Sequence, residues 1–516
     1  MSDVTQFAAG SEVKADPRRW WALAALSMAV LLVSVDNTIL AVAIPSLAED
    51  LSPTAEQLLW IGDIYSFVLA GLLITMGNIG DRIGRKKLLM IGLVAFAACS
   101  VIAAFSPTAE TLILSRALLG VAGATLMPST LSLIRNTFPN AKERTFAISV
   151  WSAVAAAGGG LGPLIGGFLL EHYWWGSVFL VNVPIVVVIM GIGVWALRES
   201  RNPNPGPIDL ISVALSLVGI LSLIAGIKEV LISGFDHPES DVLLLVGVLA
   251  LTWFVRRQLT LESPLIDMRL FKIPAFGGAV LADLISVFGL MGVYFFLAQQ
   301  FQLVDGDSPL QAGLRLLPAE VAALFGALLA ARIINRFGRR FTIVGGISLG
   351  ALGLLGLGVV HVEGLIPVTI SMILVGLGFG ASLTATADAI LTAAPPERAG
   401  AAGAVSETAY ELGAALGIAI LGSILGAWYR RAVEVPPDLP PEASAAVSDS
   451  LSSTVDVMRQ VPAEIADQML AASRLAFTDA FAVTCFVAAG ICAMGALVAY
   501  RVLPKRSEEK APVEEH

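Results

Sequence analysis

Long apolar runs alternate along the chain with short polar stretches, and each run is about the length of a helix that crosses a bilayer. Such a helix needs roughly 20 mostly apolar residues. That rule predicts about fourteen spans, at approximately 20–44, 57–77, 88–106, 110–135, 146–170, 177–197, 209–229, 241–257, 276–302, 312–334, 341–360, 365–391, 400–428 and 477–501. Composition strengthens the reading, because 56% of the residues are hydrophobic and only 14% are charged, against about 25% charged in soluble domains. The first run follows Arg18 and Arg19 and is too long for the apolar core of a signal peptide, so it reads as an uncleaved first span. Cys99, Cys485 and Cys492 lie in apolar runs without metal-ligand spacing and read as small buried hydrophobes.

The placement of Lys and Arg tests the span count, since short cytoplasmic loops collect positive charge. With the N-terminus inside, 25 of the 32 basic residues fall in inside segments. A missed span would flip every downstream cluster. The chain is therefore expected to cross an even number of times, with both termini cytoplasmic in the inner membrane. One long outside loop, 432–475, opens with a proline-rich piece, and two helix-like segments separated by Pro462 follow. A helical hairpin over the outer mouth and an inert surface insertion are both compatible with it. The basic residues form no basic domain, which leaves no footprint for nucleic acid.

Two features point to internal organisation. GNIGDRIGRKK (77–87) follows span 2, and RIINRFGRR (332–340) follows span 10. Each puts a Gly-Arg-basic turn after the second span of a six-span half, and repeated halves are a transporter architecture. The expected division is a tail 1–19, a six-helix bundle 20–200, two inserted helices 201–260, a second six-helix bundle 261–502 and a tail 503–516. The second feature is GGGLGPLIGG, with Gly158, Gly162, Pro163, Gly166 and Gly167, inside span 5. In a soluble helix these residues would stop the structure. In a bilayer they permit a bend and a close backbone approach, and the stretch is expected to be a seam between the two halves.

Charges inside spans are costly and usually functional. Asp36, Asp63 and Arg116 lie roughly 9–12 Å below the outer surface by helical rise, which suggests one network. In the second half, Glu407 and Glu411 stand at i,i+4 on one helix face. Two carboxyl groups one turn apart repel each other when both are charged. Such a pair suits proton uptake, or binding of a cation in exchange for protons. Glu320 is similarly central, and Asp283 and Asp388 are further candidates. Trp60, Tyr65, Trp151, Phe288, Tyr294, Phe295 and Tyr410 lie near these acids along the chain. Aromatic faces beside carboxylates suit a lipophilic cation, while ordinary packing is the alternative for each ring. The glycine string near Gly376 lies in a span, and no Walker motif is present.

The loop 77–87, with Gly80, Asp81, Arg82, Gly84 and Arg85, closely resembles the loop signature of the major facilitator superfamily. Leu112, Arg116, Gly120, Gly123 and Ala124 resemble its fourth-helix motif, with Leu119 where that motif often has Gln. The 158–167 stretch resembles the fifth-helix motif of its antiporters. Val35 to Ile39, followed by Ala43-Ile44-Pro45, resembles the first-helix motif of the fourteen-helix drug/proton antiporter branch. The resemblance implies an all-α membrane protein of the major facilitator fold, two six-helix bundles plus two extra transmembrane helices, that works by alternating access.

It further implies a proton-coupled antiporter that exports amphipathic, mainly cationic drugs and dyes. Such a protein is driven by the proton gradient, needs no cofactor or metal, is not an enzyme and acts as a monomer. Asp81 would accept hydrogen bonds from a neighbouring helix N-terminus or pair with Arg85, latching one access state. Asp36, Asp63, Arg116, Glu320, Glu407 and Glu411 would carry proton coupling or cation binding. The alternatives are a dedicated lipid or metabolite exporter and a membrane sensor that does not transport.

Overall fold

The computed structural model describes residues 17–202, 209–233, 238–262, 264–360, 364–435, 441–458 and 463–505. The tails 1–16 and 506–516, most of the proline-rich piece and Pro462 lie outside the described residues. Among the described residues, fourteen helices are long and apolar enough to cross a membrane. In chain order they are α1 (Arg19–Leu51), α2 (Ala55–Ile83), α3 (Arg85–Ala104), α4 (Ala109–Thr137), α5 (Ala141–His172), α6 (Ser177–Ala196) and α7 (Leu210–Ser233). There follow α8 (Pro238–Thr260), α9 (Pro274–Gln299), α10 (Pro309–Phe337), α11 (Arg339–Val360), α12 (Leu365–Ala393), α13 (Ala399–Ala432) and α14 (Ala463–Val502).

Local chemistry sets several boundaries. Thr54 and Gln57 form a capping box at the start of α2, and Ser308 and Gln311 form one at the start of α10. Asn140 accepts from the backbone N–H groups of Lys142 and Glu143 to start α5. The repeated Gly-Arg turns have one geometry. Only Gly84 separates α2 from α3, and only Gly338 separates α10 from α11. Their φ angles are 113° and 90°, a region that side chains with a Cβ rarely enter. The sequence repeat is therefore a repeated backbone turn.

The helices pack as two groups. In the first, α1 lies against α4, α5 and α6, α2 against α4, and α3 against α4 and α6. In the second, α9 lies against α12, α13 and α14, α10 against α12, and α11 against α12 and α14. Between the groups, α5 meets α10 and α12, while α13 meets α2 and α4. The pair α7–α8 packs on itself, and α7 rests against both α2 and α13. A short polar network ties this pair down. Arg257 donates to both Asp209 oxygens at 2.6 and 3.0 Å and holds that carboxyl well below the usual carboxylate range. Gln258 donates to Ser212 and accepts from the backbone of Leu265 and Ile266.

The loop 432–475 differs from the expected pair of segments. Its first segment is two short helices, Pro441–Asp449 and Leu451–Met458. Its second is the first part of α14, which runs unbroken for 40 residues. No breaker separates Ala463 from the apolar run, and Ala, Leu, Met and Gln there favour helix. The short helices are held by Tyr429, whose hydroxyl donates to the Val447 carbonyl at 3.2 Å.

The glycine stretch also differs from expectation. Gly158, Gly162 and Gly166, spaced by four, face Ser34, Thr38 and Ile39 of α1, within the first helix group. Only Gly159 and Gly160 face α10 of the second group. The physical reason is helical periodicity: i, i+4, i+8 is one stripe, and that stripe lies against the nearest neighbour of α5. The seam is thus chiefly between α1 and α5. A Cβ on Gly162 would overlap the Thr38 hydroxyl, whereas one on Gly167 meets nothing within 4 Å. Gly162→Leu is therefore expected to destabilise the purified protein by about 1–3 kcal/mol through overpacking, and Gly167→Ala to leave it unchanged. Thermal unfolding in detergent checks this pair, and equal melting temperatures for both variants would refute the assignment of faces.

Candidate functional site

The rare charges inside the first helix group meet in one place. Asp36 of α1 is fully buried, and Arg116 of α4 is 1% exposed. Arg116 donates from Nη1 to Asp36 Oδ2 at 3.1 Å and from Nε to the Ile61 carbonyl at 3.3 Å. Its guanidinium also stands 4.6 Å from the ring centroid of Tyr65 on α2, a cation–π arrangement. The other carboxylate oxygen, Asp36 Oδ1, accepts from Asn182 Nδ2 of α6 at 2.7 Å. The same nitrogen lies 3.2 Å from Ser100 Oγ of α3. Four helices besides α1 thus meet at one carboxylate. Asp63 is half-buried on α2, two residues beyond the Ile61 carbonyl that Arg116 uses.

The second group holds acids instead. Asp283 of α9 and Glu407 of α13 are 3% and 8% exposed. Asp283 accepts from the Thr386 hydroxyl of α12. Glu407 lies in the field of both Asp283 and Glu411. The charged groups that bear on Tyr410, half-buried beside them, are four carboxyls: Glu411, Glu407, Glu320 and Asp283. Tyr294 of α9 donates to the Leu316 carbonyl at 3.2 Å and sits beside Glu320. Glu320 in turn faces the first group, where a Cβ on Gly159 would stand 3.8 Å from both its carboxylate oxygens. Tyr65 joins the halves, being within electrostatic reach of Asp36, Arg116 and Glu411.

The aromatic candidates separate accordingly. Tyr65, Tyr294 and Tyr410 are the rings placed among the charges. Trp151 is buried and donates to Thr130 at 3.2 Å, and Phe288 packs closely on Gly417. Trp60 is 42% exposed and meets Phe67 edge-on, and Phe295 is also exposed. Beside the α5–α10 contact lies a groove of ≈ 550 Å³ between α10 and α12, lined by apolar residues that include Leu317, Pro318 and Phe325. Leu317 also faces Gly160 of α5, 3.5 Å from where its Cβ would stand.

At the end of the bundle that carries the basic loops, two polar junctions tie the halves together. Asp81 accepts from Arg85 at 2.7 and 2.8 Å and from the backbone N–H groups of Gly400 and Ala401 at 3.1 and 3.3 Å. It therefore does both things open to it: it pairs with its own arginine and caps the first turn of α13. Arg85 also donates to Ser200 and to the Glu397 carbonyl. Arg82 is half-buried at the same end, and Gly80 packs against Leu88. The second junction centres on Asp388 of α12, which accepts from Arg339 at 2.6 Å and from Thr145 of α5 at 2.9 Å. Asn335 stands in the second repeat where Asp81 stands in the first. The acid for Arg339 comes from α12 instead.

Asn182, Ser100, Thr386 and Thr145 were not singled out from sequence. The one signal for Asn182 is a lone amide in an apolar run two residues before Pro184. Nothing local marks the three hydroxyls. Among the described residues there is no group of three or more His, Cys, Asp or Glu side chains placed to hold a metal ion.

Residues 26–418 match the family described as Major Facilitator Superfamily. The chain is 44% identical over 489 residues to the multidrug efflux pump LfrA of Mycolicibacterium smegmatis, covering 95% of this chain and 97% of that protein. It is 39% identical over 467 residues to the methyl viologen resistance protein SmvA of Salmonella typhimurium, covering 89% and 93%. The crystal structure of the human organic anion transporter MFSD10 shares the fold, with a TM-score of 0.64 at 14% identity over 94% of this chain and all (100%) of that one.

The two junctions make a direct prediction about the basic end. Gly403 lies at the α13–α4 contact, where a Cβ would stand in ordinary van der Waals contact with Leu131 and Pro128 at 3.5 Å, so Gly403→Cys reports on that contact. With the three native cysteines replaced by Ala, its labelling by a water-soluble maleimide is expected to rise about tenfold in Asp81→Asn. That factor corresponds to ~1.4 kcal/mol of lost closure. Asp388→Asn is expected to act in the same direction. Unchanged labelling in both variants would show that these bonds do not hold the junction.

Proposed function

The chain belongs to the major facilitator superfamily, and from that premise we propose that it is a multidrug efflux pump that expels lipophilic cations in exchange for protons. The observation that carries the reading is the grouping of Asp283, Glu320, Glu407 and Glu411 around Tyr410. A cluster of carboxyls beside aromatic rings attracts a cation through charge and through the ring face. The same cluster holds protons when the cation leaves. The names of two relatives, a multidrug efflux pump and a methyl viologen resistance protein, point the same way.

Residues 20–200 and 261–502 form the two moving bundles, with 201–260 inserted between them. The basic end faces the cytoplasm, where anionic lipid favours its Lys and Arg, and both termini lie on that side of the inner membrane. The polar junctions at that end hold the two bundles closed towards the cytoplasm. In this state the acids take up protons from outside and the drug departs. Reorientation exposes them to the cytoplasm, where proton loss restores affinity for the next cation. The exchange requires drug and proton to bias the same two-state equilibrium through the same groups. In the first bundle, Asp36 couples through Arg116 and Tyr65 to Glu411 and so links proton occupancy to the contact between bundles.

Ethidium or methyl viologen efflux from loaded cells is expected to cease when an ionophore collapses the proton gradient. Efflux that persists after collapse would refute antiport. Asp36→Asn and Glu407→Gln are each expected to abolish substrate-triggered proton release from the purified protein, with a circular dichroism spectrum unchanged from wild type. Normal release in both would remove these residues from the coupling path.

A further inference from the structure

The hydrogen bonds around Asp36 leave one buried group unused. Among the described residues, Asn182 Oδ1 has no hydrogen-bond partner, although Asn182 is fully buried. An orphaned acceptor in a packed, apolar surrounding is costly, and a buried amide normally uses both ends. Its own nitrogen is doubly engaged, with Asp36 Oδ1 at 2.7 Å and Ser100 Oγ at 3.2 Å. The amide therefore serves an ionised Asp36 with its donor end and keeps its acceptor end in reserve.

The arrangement closes for a protonated Asp36 as well. An ionised carboxylate only accepts, whereas a protonated one has an O–H that needs an acceptor. Arg116 has donors only, so it cannot take that hydrogen. Rotation of the Asn182 amide by half a turn brings Oδ1 to the place of Nδ2. There it accepts from the new O–H on Asp36 Oδ1 and from the Ser100 hydroxyl, which can turn to donate. Arg116 keeps its bond to Oδ2 throughout. Both Asp36 oxygens and the Ser100 hydroxyl are thus engaged in the ionised state and again in the protonated one. Few side chains can do this, because an amide carries a donor and an acceptor of nearly the same shape.

We propose that Asn182 is a positioning residue for proton coupling: an amide switch that turns with the protonation of Asp36 and passes the change to α3 through Ser100. This rests on the reading of Asp36 as a proton-coupling group. The titratable and charged groups facing Asp36 are Arg116 from α4 and Tyr65 from α2, with Asp63 further along α2 and Glu411 of α13 beyond Tyr65. The adjoining stripe of α5 presents glycines, and α6 presents Asn182 itself. The switch sits where α6 is interrupted, between its short first turn Ser177–Leu180 and the main helix Asn182–Ala196. There a side chain is held at a helix start, apart from the turn before it.

The test uses the purified full chain in detergent. Methyl viologen is added across a range of pH, and proton release is read with an indicator dye. Asn182→Leu keeps the shape but has neither donor nor acceptor. Its release midpoint is expected to move by about one pH unit or more, the worth of one hydrogen bond to a charged group. A structural role alone would lower the yield of folded protein and leave the midpoint where it is. If Asn182→Leu does not accumulate, Asn182→Asp supplies the same reading, because an ionised Asp at that position cannot donate to Asp36, and the same displacement is expected. A wild-type midpoint in either folded variant, with release lost in Asp36→Asn, overturns the switch and leaves the role of Asp36 standing. Release retained in Asp36→Asn overturns that role and the switch together.

Discussion

Removing a charge from water and placing it in an apolar bundle is the constraint on which this structure turns. A carboxylate without a partner in such a place carries several kcal/mol of desolvation cost. The first helix group meets that cost by pairing. Asp36 is enclosed by Arg116, Asn182 and, through the guanidinium, Tyr65, contributed by three different helices. A pair of this kind is weak evidence for stability, but deleting one partner alone is expensive, about 3–5 kcal/mol. It therefore fixes how α1, α2, α4 and α6 sit relative to one another. The second group meets the same constraint differently, by gathering carboxyls where protons or a cation can neutralise them. One half holds a balanced pair and the other a charge to be filled, which is the asymmetry that the proposed exchange would require.

The glycine stripe of α5 explains how the two halves can feel each other. Gly158, Gly162 and Gly166 bring α5 against α1, whose buried acid is Asp36, while Gly159 on the adjoining face leaves room for Glu320 of α10. One helix is thus packed on the chain of the first carboxylate along one side and borders a second carboxylate along the other. In hydrocarbon there is little hydrophobic drive between helices, so close backbone contact and its dispersion energy must supply the association. A rigid α1–α5 pair with a looser α5–α10 face is the arrangement in which bundles can slide while each stays intact.

How much of this could be read from the chain follows from the same physics. Spans are legible because water-free backbone must be helical and each helix must be long and apolar; fourteen runs became fourteen helices. Acids and arginines in those runs are legible because they are rare. The Gly84 and Gly338 turns are legible because their backbone excludes other residues. The partners are another matter. Asn182 and Thr145 are ordinary residues locally, and their roles arise from contacts 146 and 243 positions away in sequence. The face of α5 is not legible, because a run of six glycines and a proline marks a close approach without saying to which neighbour. The continuity of α14 is hidden because its first turns carry Glu464, Asp467, Gln468 and Arg474 and are not apolar enough to span, so the apolar run alone does not show where the helix begins.

The basic end supplies the last step. Its two junctions share a plan: a carboxylate, the arginine that opens the third helix of its own half, and a group in the first turns of the fifth helix of the other half. In one the parts are Asp81, Arg85 and the amides of Gly400 and Ala401; in the other they are Asp388, Arg339 and Thr145. Each is charge-assisted and shielded from water, so each is stronger than a surface ion pair. A transporter that must open this end cannot make such contacts indefinitely strong. To move an equilibrium from 1:99 to 99:1 takes about 5.5 kcal/mol, and two junctions of a few hydrogen bonds are of that order. The acid of the second junction lies on α12, the same helix whose Thr386 binds Asp283. A shift of α12 that accompanies neutralisation of the central acids would therefore act on Asp388 directly. Charge in the middle of the membrane and closure at its edge are joined through one rigid helix.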